Sequence, residues 1–71
     1  MALLETGRVC RKTRGNDTWE FCVIVGKADR GFEVVTADGR KSKVSASHIE
    51  PTHWVVSGKD VKRELAELNL A

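Results

Sequence analysis

Seven cations fall into two groups free of acids: Arg8, Arg11, Lys12 and Arg14 within seven residues, and Arg40, Lys41 and Lys43 within four. Clustered Arg and Lys bind phosphates, and phosphate contacts carry most of the affinity of nucleic-acid binders. Gly15, Asn16 and Asp17 follow the first group; they suit a loop that brings main-chain N–H groups to a phosphate or a 2′-hydroxyl, or equally an ordinary hairpin turn. Trp19 stands beside that loop with two roles open, stacking on a nucleotide or covering one end of the fold. His48 is a candidate for bonding to backbone or phosphate.

Other chemistries find little support. His48 and His53 have the spacing of zinc ligands, but Cys10 and Cys22 are separated by eleven residues rather than two to four. The two thiols read instead as reduced, small hydrophobes, on two arms that could bring them close together. No nucleophile–base–orienter set, glycine-rich phosphate loop or acidic dyad is present, so the expectation is no enzyme, no cofactor and no metal. With no tyrosine, and with Phe21 and Phe32 better used in a core, an aromatic cage is not expected either.

Length and composition bound the rest. Seventy-one residues allow one small core and leave little room for a deep small-molecule pocket, so no small-molecule substrate is expected. Charged residues are 31% and hydrophobic ones 41%, as in a folded soluble domain. No apolar run approaches a membrane span and the first residues do not read as a signal peptide, so a cytoplasmic protein without membrane partners is expected. The net charge is only +2, so two local basic patches on a nearly neutral body must supply any phosphate grip. Seven contacts at most give a log–log salt slope of roughly −5 to −6.

The elements that would position these residues are short strands. Residues 8–13 read as a first strand, with Arg8, Lys12 and Arg14 on the face of Cys10, and Arg11 on the face of Val9 and Thr13. Residues 19–27 form a second whose centre is apolar on both faces, as in a central strand. Residues 32–36 form a third; Asp38-Gly39 is a hairpin signal, and residues 40–45 form a polar fourth strand, at an edge or facing RNA. Residues 47–52 read as one helical turn ended by Pro51, and residues 53–56 as a fifth strand that closes a barrel. Ser57 then caps, with Asp60 three residues on, an amphipathic helix of about three turns built on Val61, Leu65 and Leu68.

The hairpin over residues 7–25 resembles a KOW motif, the glycine-centred hairpin of SH3-like barrels in ribosomal and transcription proteins. Gly7-Arg8-Val9-Cys10, the return strand Cys22-Val23-Ile24-Val25 and above all His48-Ile49-Glu50-Pro51-Thr52 are similar to the archaeal and eukaryotic large-subunit ribosomal protein family L-fourteen-e, the archaeal form in particular. Trp19 stands where that family's loop has a second glycine, and its denser basic strand is here Arg40-Lys41-Ser42-Lys43. The resemblance covers nearly the whole chain. It implies a mainly β fold: a five-stranded SH3-like barrel over residues 1–56, and a C-terminal helix over 57–71 packed on the barrel or on a neighbour. It also implies a structural constituent of the large ribosomal subunit in the cytoplasm, with large-subunit rRNA and neighbouring ribosomal proteins as partners. The alternative is a free-standing KOW-type RNA-binding or adaptor domain outside the ribosome.

Overall fold

Strand β2 (Phe21–Ala28) carries apolar side chains to both of its faces, and the sheet forms around it. In the computed structural model, which describes residues 4–13 and 20–70, β2 lies at the centre of one five-stranded antiparallel sheet. Its neighbours are β1 (Arg8–Lys12) and β3 (Gly31–Thr36); β4 (Lys41–Val44) and β5 (Ile49–Val55) form the two edges. A 3-10 turn, Ala46–His48, joins β4 to β5, and one helix, α1 (Val61–Glu67), ends the described chain.

Strand alternation divides the core in two. Cys22 and Ile24 point to one face, where they meet Cys10, Val34 and Ile49, with Phe32 and Val44 at the margin. Val44 and Ile49 come from the opposite edge strands, so the sheet curls over this face. Val23 points the other way and packs with Val9, Val35, Val61 and Leu65, so the second face is covered by α1. Phe21 and Phe32 flank the two clusters, one on each. The curl stops short of closure: among the described residues no ladder joins β4 to β5. The sheet is therefore barrel-like rather than the closed barrel that residues 53–56 were expected to complete.

Two glycines set where strands begin. Gly7 has φ +91, its N–H donates to the Ile24 carbonyl at 2.7 Å, and its own carbonyl accepts from Val56 N–H at 2.7 Å. A Cβ there would lie 2.3 Å from the Val56 oxygen. Gly31, at the start of β3, would place a Cβ 2.1 Å from the Val44 oxygen.

The segment after the 3-10 turn departs from the sequence reading. The helical turn is confined to Ala46–His48, and Pro51 lies inside β5, opposite Cys10. Proline fits there because β5 is an edge strand at an irregularity: Arg8 pairs with Val55 but Cys10 with Pro51, so β5 spends two more residues than β1 on that interval. Thr52 repairs the interrupted ladder. Its Oγ1 donates to the Val9 carbonyl at 2.6 Å and accepts from Trp54 N–H at 3.3 Å, while Arg8 Nη1 donates to the Thr52 carbonyl at 3.2 Å. Ile49-Glu50-Pro51-Thr52 is thus a bulge motif whose proline gives up an N–H and whose threonine supplies a hydroxyl.

The helix is also shorter than its apolar spacing predicts, running over Val61–Glu67 in about two turns, with Asp60 rather than Ser57 at the cap. Asp60 Oδ1 accepts from Arg63 N–H at 3.3 Å. Ser57 belongs to the turn before it, which Glu64 holds by reaching back. Its carboxylate accepts from Ser57 N–H and Oγ, both at 2.8 Å, from Gly58 N–H at 3.0 Å and from Asp60 N–H at 3.2 Å. Burial raises the Glu64 pKa, but the bonds from Ser57, Asp60 and Gly58 outweigh it and hold the carboxyl below its ordinary range.

Candidate nucleic-acid interface

In the first basic group, Arg8 and Lys12 are set into the scaffold. Arg8 and Lys12 share the face of Cys10, as alternation requires, and both are buried. The Arg8 side chain is 11% exposed; besides its bond to Thr52 it pairs through Nη2 with Glu5 Oε1 at 2.9 Å. Its guanidinium stays hydrogen-bonded as it enters the protein, which is the condition for burying such a group. Arg11 projects from the opposite face and is half-buried; its Nη2 meets Glu50 Oε2 at 3.1 Å, across the β1–β5 pair. Arg14, Gly15, Asn16 and Trp19 lie outside the described residues.

The second group is open to solvent. Lys41 and Lys43 are exposed on edge strand β4, opposite Val35 and Glu33 of β3. Directly opposed residues share a face, and Val35 belongs to the cluster under α1, so both lysines project on the helix side of the sheet. Arg40 precedes the strand with its side chain 80% exposed, and its Nε pairs with Asp38 Oδ2 at 2.8 Å. Asp38 also accepts from the Thr36 hydroxyl and from Arg40 N–H. The Thr36 bond leads, followed by the bond from the Arg40 main chain, and with the Arg40 side chain and charge they lower the Asp38 pKa against the opposing effect of burial. Lys59, absent from the sequence-derived set, joins Lys41 and Glu33 in lining a cleft of about 400 Å3 between the sheet and the start of α1. The two basic groups therefore do not converge. Their strands, β1 and β4, are three strand spacings apart along the sheet, on the order of 14 Å; Arg8 and Lys12 lie on the face opposite Lys41 and Lys43, and Arg11 lies on theirs.

His48 is exposed at the end of the 3-10 turn, and its main chain ties that turn down. Its N–H donates to the Ser45 carbonyl at 3.0 Å, and its carbonyl accepts from Thr13 N–H at 2.9 Å. Cys10 and Cys22 lie directly opposite each other on β1 and β2, both wholly buried. Burial pushes the Cys10 thiol up to about 11, against the lowering charge of Arg8. Burial and the neighbouring Cys10 push Cys22 up to about 12, partly offset by Lys12. Such thiols are poor nucleophiles and poor metal ligands at neutral pH, since both roles need the thiolate. Among the described residues no three His, Cys, Asp or Glu side chains gather as a metal site would need, and no helix is long and apolar enough to cross a membrane.

One surface feature escaped the sequence reading. Beside Arg11, the aromatic rings of β2 and β5 line a groove of about 290 Å3. The Trp54 and His53 rings lie 4.2 Å apart between centroids at an interplanar angle of 34°, and Phe21 meets Trp54 edge-on at 6.3 Å and 84°. Strict alternation would send His53 and Trp54 to opposite faces; their ring contact goes with the irregular pairing of β5, which the sequence did not reveal.

No protein-family model matches the chain. Curated archaeal proteins do. A large ribosomal subunit protein eL14 from Methanococcus vannielii is 40% identical over 52 residues, covering 73% of this chain and 68% of the relative. That from Metallosphaera sedula is 35% identical over an 81-residue alignment covering 99% of this chain and 84% of the relative, and that from Saccharolobus solfataricus is 33% identical at the same coverage. With its curled five-stranded sheet and C-terminal helix, the chain belongs to the large ribosomal subunit protein eL14 family.

Proposed function

We propose that this protein is a structural, non-catalytic constituent of the large ribosomal subunit in the cytoplasm, and that it binds rRNA mainly through phosphates and shape. The observation that carries the reading is the kinship to eL14 proteins over nearly the full chain. The exposed cations Arg40, Lys41 and Lys43 make the phosphate contacts, and the segment with Arg14, Gly15, Asn16 and Trp19 provides a second contact. Arg8 acts largely from within, holding the bulge through Thr52, and Lys12 is buried on the same strand, with Arg11 and His48 at the border of the surface. Neighbouring ribosomal proteins pack against what rRNA leaves uncovered.

A hydroxyl-radical footprint tests it. Added to protein-depleted large-subunit particles, the protein should protect one compact patch of rRNA, and the Lys41→Ala/Lys43→Ala double variant should weaken that protection while folding normally. Protection absent at moderate salt would leave the free-standing RNA-binding or adaptor domain as the better reading.

A further inference from the structure

The aromatic groove beside Arg11 has no part in the phosphate contacts above, and its chemistry differs from theirs. Its floor is Trp54, half-buried against the cluster under α1 and braced edge-on by Phe21. His53 lies against the indole, and Pro51 adds an apolar saturated ring. The rim carries a donor and an acceptor side by side, the Arg11 guanidinium and the Glu50 carboxylate, 3.1 Å apart. Both are partly exposed, at 39% and 59% of their side-chain surface. The hydroxyl and carbonyl of Thr52 are engaged with Val9, Trp54 and Arg8.

We infer that this groove takes a single unpaired base of RNA, stacked on the His53–Trp54 rings with its polar edge against Arg11 and Glu50. This inference rests on the rRNA-binding reading and adds to it a site for a base beside the sites for phosphates. A base is a flat ring with donors and acceptors on its edge. The groove pairs ring faces with one donor and one acceptor, and about 290 Å3 is enough for one base but small for a longer ligand. An aliphatic peptide side chain would leave the charged rim unmatched, so the lining favours RNA over a protein segment. An A-form duplex, its bases stacked inside, has none to offer. The site therefore selects a loop, bulge or strand end.

The test is a titration of the full chain with a mixed-sequence single-stranded octaribonucleotide, a blunt RNA duplex of the same length, and a proline-rich octapeptide. Binding is followed by NMR at the Trp54 indole N–H and by affinity. The octaribonucleotide should shift that signal and the duplex should not. Trp54→Ala should weaken single-strand binding about 5- to 150-fold, the contribution of one stacked base, without changing the salt slope. Because Trp54 also packs against the core, His53→Ala and Arg11→Gln accompany it as rim variants, and each should weaken single-strand binding with the fold intact. If all three bind like the parent while Lys41→Ala/Lys43→Ala does not, the base site is refuted and the phosphate reading survives. If the peptide moves the Trp54 signal and RNA leaves it still, the groove is a protein-docking site and the inference is refuted. If no RNA binds at moderate salt, both readings fall together.

Discussion

Thr52→Val probes the bulge with a nearly isosteric side chain. The hydroxyl donates to the Val9 carbonyl at 2.6 Å, and Val9 is wholly buried, so water has no easy route to replace the bond. Removing one partner of a buried hydrogen bond costs about 1–3 kcal/mol. The second bond, from Trp54 N–H at 3.3 Å, is longer and nearer the surface and adds little. The methyl group that valine adds lies at the sheet edge, so overpacking should not dominate. We therefore predict a loss of about 2 kcal/mol, which for a domain of this size lowers Tm by roughly 8–16 °C. Thr52→Ser, which keeps the hydroxyl, should lose less than half as much. The assay is thermal and urea unfolding of the three proteins, with the urea slope checked for constancy. A Thr52→Val protein within about 0.5 kcal/mol of the parent would refute the hydroxyl's role in replacing the missing ladder bond.

Other perturbations follow from the same geometry. Gly7→Ala puts a Cβ 2.3 Å from the Val56 oxygen at a φ of +91, so circular dichroism should report a protein destabilised by more than 2 kcal/mol, about what left-handed backbone strain alone costs a non-glycine residue. Glu64→Gln should cost about 1 kcal/mol at pH 7, the scale of a helix-cap loss. Because the folded carboxyl titrates below its ordinary range, the advantage of the parent should be whole above that range and shrink as pH falls through the folded pKa; a difference that grew on acidification would contradict it. Native protein should resist iodoacetamide at pH 8, where thiols held at about 11 and about 12 are almost wholly protonated, and rapid labelling of Cys10 or Cys22 would show the β1–β2 pair to be open. Lys41→Ala/Lys43→Ala should cut the log–log salt slope for rRNA by roughly 1.5, one phosphate per lysine; an unchanged slope would remove β4 from the interface.

Most of the fold was legible because it rests on local patterns. The doubly apolar centre of β2 meant a strand covered on both faces, and it is, by α1 on one side and by the curl of the sheet on the other. Asp38-Gly39 marked the β3–β4 turn, and the polar Arg40-Lys41-Ser42-Lys43 run marked a strand at an edge or facing RNA, of which the edge position is observed. Pro51 misled because proline argues against a strand interior, and only the pairing with β1 reveals a bulge that tolerates it. Ser57 looked like a cap because the carboxylate that organises its turn, Glu64, lies seven residues on, beyond the capping-box spacing. Cation clustering in the sequence said nothing about burial. Arg8 and Lys12 read like Lys41 and Lys43, yet the first pair is buried, with Arg8 bonded to the bulge, and the second faces solvent. The aromatic groove depends on contacts between β2 and β5, more than thirty residues apart, which no local spacing encodes.

A role as a large-subunit component is the property on which the others depend. Sucrose-gradient sedimentation of the tagged protein, expressed in its own cells and lysed at moderate salt, tests it most directly. The protein should travel with large-subunit and whole-ribosome fractions and leave them only as salt is raised. Protein found at the top of the gradient, with ribosomes intact below it, would overturn the ribosomal role.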